Sequence, residues 1–212
     1  MSLICHTAYR ASVLLAEEKG SFPCLNRNKY LEGPFIRRLP EDVRDGIAKG
    51  GIRNSHLIAI APTGTISLLA GNVSSGLEPV FAASYRRKIL NENGDSEELF
   101  LTDYALQLWR EMTGTAKGVP PGFVTVNELP VRAHFDIQAA LQPFVDNSIS
   151  KTINVPADYP FSEFRKVYDL AYEKGLKGCT TFRPNPVTGV VLSDTGEGAE
   201  APHCCVLERE AD

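Results

Sequence analysis

Residues 55–79, SHLIAIAPTGTISLLAGNVSSGLEP, constrain the fold of this chain more than any other stretch. The first apolar run, HLIAIA, is short, lacks a polar face and ends at Pro62, a pattern that is typical of a strand buried on both sides. Small residues at 63–65 then turn the chain into a second apolar run. A buried strand that turns into a helix, in a chain that alternates the two, predicts an α/β architecture.

Five other stretches carry helix signals. Apolar residues at helical spacing predict helices over 8–19, 137–145 and 162–174. Pro40 opens a short helix in its first turn. Thr102 is expected to cap a further helix. The inner face of that last helix is expected to carry Tyr104, Ala105, Leu108, Trp109 and Met112.

The strand signals lie between these helices. The runs KTINVP and CTTFR indicate two further buried strands, whereas ASYRRKIL and SEELFL, on either side of Asn93-Gly94, indicate a hairpin or a solvated excursion. Helical connections between the buried strands imply mainly parallel pairing with flanking helices. Beyond Ser193 the composition shifts to Gly, Glu, Ala and Pro, which leaves almost nothing to bury. We therefore predict one α/β domain over residues 1–192 and a flexible tail over 193–212.

Composition excludes several classes of function. The net charge of −4 comes from interspersed acidic and basic residues, so no basic stripe is present to bind a nucleic-acid polymer. No apolar run approaches the ~20 residues of a membrane span, and the N-terminus lacks the layout of a secretion signal, which predicts a cytoplasmic protein. The cysteines are odd in number and irregularly spaced, which argues against a disulfide framework. They are Cys5, Cys24, Cys179, Cys204 and Cys205.

The turn at 62–67 has the chemistry of an anion site. In parallel α/β sheets, ligands bind beyond the carboxyl end of a strand, where the next helix begins with free N–H groups. Gly64 lets the backbone approach an oxyanion closely, and Thr63, Thr65 and Ser67 add hydroxyl groups. The segment lacks the spacing and the lysine of a Walker loop. On spacing alone, a phosphate-binding loop and a capped turn without a ligand are equally good interpretations.

Four segments, taken in order and with their separations, resemble the C-terminal part of the catalytic barrel of class II ribonucleotide reductases, which depend on adenosylcobalamin. They are AEEKGSFP, GIRNSHLIAIAPTGTISLLAGNVSSGLEPVF, DNSISKTINVP and GLKGCTTFRPN. The resemblance runs from about residue 8 to residue 192. It implies that the chain is the C-terminal half of a ten-stranded α/β barrel. It also implies a part in converting ribonucleotides to deoxyribonucleotides by radical chemistry.

The resemblance assigns roles to particular residues. It implies that SISKTIN and GCTTF are barrel strands near the radical-generating side. The loop that it implies for the substrate phosphates consists of Pro62, Thr63, Gly64, Thr65, Ile66 and Ser67.

One motif of that family is missing from this sequence. The family's radical cysteine lies in a Cys-x-Glu-type motif, and none of the five cysteines is followed two residues later by Glu. We therefore expect the chain alone not to reduce a nucleotide, and to need a large reductase chain that carries the radical cysteine. It is either the small subunit of a split enzyme or a fragment of a longer one. A half-barrel exposes strand edges, which predicts self-association of the isolated chain.

Two alternatives come from other functional classes. The chain could be a stand-alone nucleotide- or phosphate-binding module without catalysis. It could equally be an interaction subunit that only completes the barrel of its partner. The first would bind a nucleoside diphosphate by itself, whereas the second would bind only in the presence of the large chain.

The cysteine pair in the tail is a candidate thiol shuttle. Family members regenerate their active-site disulfide with two cysteines on a mobile C-terminal tail, which implies that role for Cys204 and Cys205, with a thioredoxin-like reductant as partner. Adjacent cysteines depart from the usual separation, and incidental thiols on an unstructured tail are the alternative. A metal site from His203 and the pair is disfavoured, because consecutive residues do not easily converge on a tetrahedral centre.

Several single residues form a second tier of candidates. Lys151, in a buried strand, needs a charged partner or a water-lined cavity. Glu78 either orients the loop at 62–67 or caps a turn. Cys179 is interpreted first as a small apolar filler. His56 and His134 are isolated in sequence from any acid or thiol, so both are expected to be packed or solvent-exposed rather than catalytic.

Overall fold

The computed structural model describes residues 1–90, 93–183 and 192–194. The chain divides into two compact units. The first unit consists of Met1–Ile60 and Gln138–Ile149, and the second consists of Ala61–Ile137 and Ser150–Asp212. Across the described ranges, no helix combines the length and the apolarity that a membrane crossing needs.

Four α-helices precede the first strand, and helices and strands are interleaved in the rest of the described chain. The α-helices are α1 (Ser2–Lys19), α2 (Arg27–Leu31), α3 (Glu41–Gly50), α4 (Gly64–Leu69), α5 (Tyr104–Thr113), α6 (Val131–Leu141) and α7 (Phe161–Glu173). The strands are β1 (Ser84–Leu90), β2 (Ser96–Thr102), β3 (Thr152–Asn154), β4 (Thr180–Phe182) and β5 (Leu192–Asp194). Short 3-10 helices occupy Ile36–Arg38, Val126–Glu128 and Gln142–Phe144. The predicted α/β class is confirmed.

The core of the first unit lies between α1 and α3. Cys5, Tyr9 and Val13 recur every four residues along α1, so they lie on one face of the helix. Val43 and Ile47 of α3 pack into the same cluster. Burial of these apolar faces, rather than helix propensity alone, stabilises both helices.

A buried carboxylate completes the first unit. Asp146 accepts hydrogen bonds from the Tyr9 hydroxyl at 2.6 Å, from the Leu57 N–H at 2.7 Å and from the Ile58 N–H at 2.8 Å. Three donors satisfy a charge that would otherwise be costly to bury. Asp146 therefore ties α1 to the extended segment that follows α3.

The prediction of a regular strand at HLIAIA is wrong. This segment forms a single parallel bridge, between Ile60 and Ile149. Its N–H groups at Leu57 and Ile58 donate to the Asp146 side chain instead of to a neighbouring strand. The segment is partly buried, and its other backbone hydrogen bonds are those of the Ile58 carbonyl with the Asn147 N–H at 3.0 Å and of the Ile60 N–H with the Ser148 carbonyl at 3.4 Å.

The second unit contains an antiparallel sheet with the order β2-β1-β5. β1 and β2 pair from Ser84 and Thr102 to Leu90 and Ser96, which confirms the predicted hairpin. β5 pairs antiparallel with the other edge of β1. The expectation of mainly parallel pairing concerned the buried strands and does not apply to this sheet, whose first two strands form the predicted hairpin.

A parallel pair of strands forms the other sheet of the second unit. β3 and β4 pair in register from Thr152 and Thr180 onward, and α7 connects them. This βαβ arrangement confirms the strands predicted at KTINVP and CTTFR and the helix predicted over 162–174. The cluster beneath it consists of Phe135, Ile153, Val167 and Ala171.

Two helix predictions need correction. α5 is capped by Asp103, whose carboxylate accepts from the Leu106 N–H at 3.0 Å, because Thr102 is still paired in β2. Leu106 is the buried residue of α5, whereas Met112 on the predicted inner face is 78% exposed. The helix predicted over 137–145 begins earlier, at Val131, and gives way at residue 142 to the 3-10 helix that contains Pro143. The parts of the chain that the structure describes contain short sheets and no closed barrel.

Candidate functional site

The loop at residues 62–67, here called the PTGTIS loop, turns the chain into α4. Thr63 is the N-cap of α4 and has a φ of 52°, in the left-handed region. Its carbonyl accepts the first helical hydrogen bond, from the Ser67 N–H at 2.8 Å. The positive φ therefore lies at Thr63 and not at Gly64, although Gly64 follows it directly. A threonine held in this conformation needs support from its surroundings.

Gly64 has open space on its side-chain face. A Cβ built there would meet one neighbour, the Arg87 guanidinium, with its nearest nitrogen at 4.0 Å. Arg87 lies on β1, where side chains alternate between the two faces of the sheet. The adjacent Arg86 pairs instead with Glu98, at 4.0 Å. Arg87 thus lies beside the loop, whereas Arg86 does not.

The three hydroxyl groups of the loop differ in their environment. The Thr65 side chain is on an exposed residue. The Ser67 hydroxyl donates to the Val73 carbonyl, so it fixes the end of α4. The Thr63 hydroxyl is buried and makes no hydrogen bond within the described part of the chain. Thr65 is therefore the hydroxyl best placed to meet a ligand.

Asn72 attaches the far end of α4 to the hairpin. Its amide donates to the Thr102 carbonyl at 3.0 Å and accepts from the Tyr85 hydroxyl at 2.8 Å. Asn72 has a φ of 62°, which asparagine tolerates better than most residues. Both ends of α4 thus face the same strand, because Tyr85 and Arg87 lie two residues apart on β1.

The second unit also contains a buried polar network, which includes Glu78, Lys151 and His134. Lys151 donates to Glu78 at 2.8 Å and to the Thr152 carbonyl at 2.7 Å, and its ammonium nitrogen lies 2.9 Å from His134 Nδ1. The second carboxylate oxygen of Glu78 accepts from the Thr152 N–H at 2.7 Å. Of the two alternatives expected for Lys151, a partner or a water-lined cavity, the structure shows a partner, Glu78. Since an ammonium has no acceptor, Nδ1 of His134 accepts, and the ring proton is assigned to Nε2.

Sequence reasoning did not single out Arg87 or Asp146, and it missed the contact that His134 makes with Lys151. His134 lies inside α6 and is packed, as one of its two expected placements has it, and it contacts Lys151. Each of the three meets partners far along the chain, so local spacing carries no signal for the contact. The signal available for His134 was its place beside Phe135 in an apolar helix face. His56 is exposed, which is the other of the two expected placements.

The cysteines do not gather around the loop. Cys179 packs against the cluster beneath β3, and burial raises the pKa of its thiol, which fits the apolar-filler interpretation. Cys5 lies in the core of the first unit, where burial and then the Asp146 charge raise its thiol pKa. Cys204 and Cys205 lie outside the described residues, and their shuttle role stays a prediction. No cluster of His, Cys, Asp or Glu that could hold a metal ion occurs among the residues the structure describes.

Comparisons with known proteins point to one family. Its model, ribonucleotide reductase, barrel domain, matches residues 1–182. A vitamin B12-dependent ribonucleoside-diphosphate reductase of Thermoplasma acidophilum is 34% identical, over 91% of this chain and 25% of that protein. Its namesake in Mycobacterium tuberculosis is 32% identical, over 91% of this chain and 28% of that protein.

A solved structure supports the same fold. The alpha subunit of the Actinobacillus ureae class Id ribonucleotide reductase matches with a TM-score of 0.56 at 20% identity, over 85% of this chain and 33% of that chain. At this identity the likeness shows the fold alone. The chain spans 25% to 28% of the length of the two curated relatives named above. Because the family match covers almost the whole described sequence, the chain belongs to the ribonucleotide reductase barrel-domain family.

Proposed function

We propose that the chain supplies the substrate-phosphate loop of a ribonucleotide reductase, an oxidoreductase that converts ribonucleotides to deoxyribonucleotides. Family membership over residues 1–182, which include the PTGTIS loop, supports the reaction class. The observation that carries the assignment of the loop is the Arg87 guanidinium beside the open face of Gly64. The names of the curated relatives favour a nucleoside diphosphate as substrate.

The geometry suits a phosphate in three ways. The first N–H groups of a helix lack intrahelical acceptors, and α4 begins at Gly64. The missing side chain at Gly64 leaves room for an oxyanion close to the backbone. Arg87 adds a guanidinium, which binds phosphate oxygens bidentately and stays charged at any physiological pH. In this proposal the backbone at 64–66 donates, Arg87 neutralises the charge, and the Thr65 hydroxyl contributes a further hydrogen bond.

The rest of the enzyme is proposed to come from outside the described residues. The strands and helices would form the C-terminal half of a ten-stranded barrel. A large reductase chain, or chain segment, would carry the radical cysteine, because this sequence lacks the Cys-x-Glu motif. Cys204 and Cys205 would pass electrons from a thioredoxin-like dithiol to the active-site disulfide.

Adenosylcobalamin is the proposed cofactor of the complete enzyme, because the curated relatives are named vitamin B12-dependent. It would supply the initiating radical when bound. We assign no residue of this chain to the cofactor.

A titration tests the phosphate assignment. Amide chemical shifts of residues 63–67 would be followed while ADP or adenosine is added up to millimolar concentrations. We expect ADP, and not adenosine, to shift these signals. Arg87→Gln should raise the Kd for ADP by about 10- to 100-fold, since hydrogen bonds to charged groups contribute about 1.5–3 kcal/mol.

Arg86→Gln is the matched control, because the neighbouring arginine pairs with Glu98 and faces away from the loop. It should leave ADP affinity unchanged. Equal shifts with ADP and adenosine, or none with either, would mean that the loop does not bind phosphate. An equal loss of affinity in both arginine variants would remove Arg87 from the site and leave only a general effect of net charge.

A further inference from the structure

The buried network of Glu78, Lys151 and His134, here called the Glu78 clamp, has no role in the function proposed so far. Lys151 and His134 are each 2% exposed, and the Glu78 side chain is 12% exposed. Burying a charged pair is costly unless its hydrogen bonds are satisfied. The cost raises the question of what the clamp holds in place.

Lys151 is not suited to bind a ligand itself. An ammonium group has three N–H donors, and they meet Glu78, the Thr152 carbonyl and His134. The contacts of the clamp are therefore with other groups of the protein and not with a ligand. Glu78 also accepts the Thr152 N–H, so both of its oxygens are fixed to the segment that enters β3.

Gly76 connects the clamp to the PTGTIS loop. It lies two residues before Glu78 in a turn closed by the Glu78 N–H and the Ser75 carbonyl, at 3.2 Å. A Cβ at Gly76 would lie 2.9 Å from the Ala61 carbonyl oxygen and 3.5 Å from the Thr63 hydroxyl oxygen. The backbone at Gly76 therefore packs directly against the turn in which Thr63 holds its positive φ.

We propose that the Glu78 clamp is a positioning element that presses Gly76 against the turn at residues 61–63 and so fixes the shape of the PTGTIS loop for an anion. This inference rests on the proposed phosphate-binding function. Glu78, Lys151 and His134 touch no ligand. They set the direction of the N–H groups that do, because Thr63 adopts a strained conformation that its surroundings must hold.

Glu78→Asp tests the clamp while keeping its charge. The side chain becomes one methylene shorter, so its carboxylate reaches Lys151 only if the backbone at 76–78 shifts and changes the contact of Gly76 with the turn. We expect the variant to stay folded and its Kd for ADP to rise on the order of tenfold, as when a charge-assisted hydrogen bond is misaligned. Its Kd for inorganic pyrophosphate should rise in parallel, while general folding, followed by circular dichroism, stays unchanged.

Gly76→Ala provides a second variant that does not touch the clamp residues. Its methyl group would meet the Ala61 carbonyl, so ADP affinity should again fall about tenfold. Gly71→Ala is the matched control, because Gly71 also has a positive φ, of 82°, but has nothing within 4 Å of its Cβ position. It carries the same backbone penalty without the contact and should bind ADP like the wild type.

The outcomes separate the two proposals. If the wild type does not distinguish ADP from adenosine, the phosphate function fails and the clamp inference falls with it. If the wild type does distinguish them but Glu78→Asp binds ADP normally, the clamp is structural only and the phosphate function stands. Should Glu78→Asp fail to fold, equal ADP affinities of Gly76→Ala and Gly71→Ala would overturn the inference.

Discussion

Replacement of Tyr9 by Phe tests the buried carboxylate of the first unit. The Tyr9 hydroxyl donates to Asp146 at 2.6 Å, and the same carboxylate holds the N–H groups of Leu57 and Ile58. Phe keeps the ring and its packing, so no large cavity forms. Asp146 would still accept two backbone hydrogen bonds, which prevents the variant from leaving an unpaired charge in the core.

The expected loss is that of one hydrogen bond to a charged acceptor, about 1.5–3 kcal/mol of unfolding free energy. Tyr168→Phe is a suitable control. Its hydroxyl lies 2.9 Å from the Thr181 hydroxyl, and both groups are neutral and accessible to water. That change should cost about 0.5–1 kcal/mol. Urea unfolding followed by circular dichroism gives both free-energy differences, provided that the wild type and the variants have the same dependence of unfolding free energy on urea concentration.

The pH dependence gives a second, independent signature. Burial, followed by the hydrogen bond to Asp146, raises the pKa of Tyr9 above its ordinary range. A tyrosine in the unfolded chain ionises near pH ~10, so the folded state binds more protons above that pH. The Tyr9 contribution is therefore complete below pH ~10 and is lost as the pH rises further, by up to about 1.4 kcal/mol per unit.

Tyr9→Phe lacks this alkaline loss, so its stability should approach that of the wild type above pH ~10. The comparison removes the contributions of lysines and other tyrosines, which both proteins share. Two results would refute the reasoning: a cost at neutral pH no larger than that of Tyr168→Phe, or parallel alkaline curves for the wild type and the Tyr9 variant.

Further predictions concern the loop, the thiols and the assembly. Gly64→Val should weaken ADP binding by about 10- to 100-fold in the assembled enzyme, because the branched side chain fills the space between the backbone and the Arg87 guanidinium. An unchanged Kd for ADP would mean that phosphate does not bind at the open face of Gly64. Iodoacetamide near neutral pH should modify the exposed Cys24 before Cys179, whose raised pKa reduces its thiolate fraction; peptide mass spectrometry reads the order. Replacing Cys204 and Cys205 by Ser should leave urea unfolding unchanged but abolish multiple turnovers of the assembled enzyme supported by a protein dithiol, with a single turnover intact. Sedimentation velocity should show self-association of the isolated chain, and a cooperative monomer would contradict it.

Local chemistry predicted the elements whose signals lie within a few residues. Pro40 is the N-cap of α3 and Gly51 is its C-cap, and Asn93-Gly94 lies between the strands of the hairpin. Such turns and caps depend on backbone preferences of the residues themselves. The α/β class, the loop before α4 and the partner requirement of Lys151 could be derived in the same way.

The failures share a physical cause, which is competition from partners that are distant in sequence. Thr102 and Asp103 are both good N-caps, but pairing of β2 with β1 keeps Thr102 in the strand and leaves the cap to Asp103. The HLIAIA run has the composition of a buried strand, yet a carboxylate 88 positions away from Ile58 takes a backbone donor that a strand would use. Propensity and periodicity do not contain these contacts.

The same reasoning explains why the candidate site was only half visible from the sequence. A glycine and hydroxyl residues in a turn indicate what a loop can bind, but the charge proposed to complete the site comes from Arg87, on a hairpin more than twenty residues later. Arg86 and Arg87 are equivalent in composition, and only strand alternation, read with the pairing of Arg86 to Glu98, separates the residue that faces the loop from the one that does not. When two adjacent arginines lie on a strand beside a glycine turn, the register of the hairpin therefore decides which of them faces the turn. Insertion of one residue in β1 just before Arg86 would move Arg86 to the side of the strand that faces the loop and Arg87 to the opposite side. Loss of ADP affinity should then follow replacement of Arg86 and no longer replacement of Arg87.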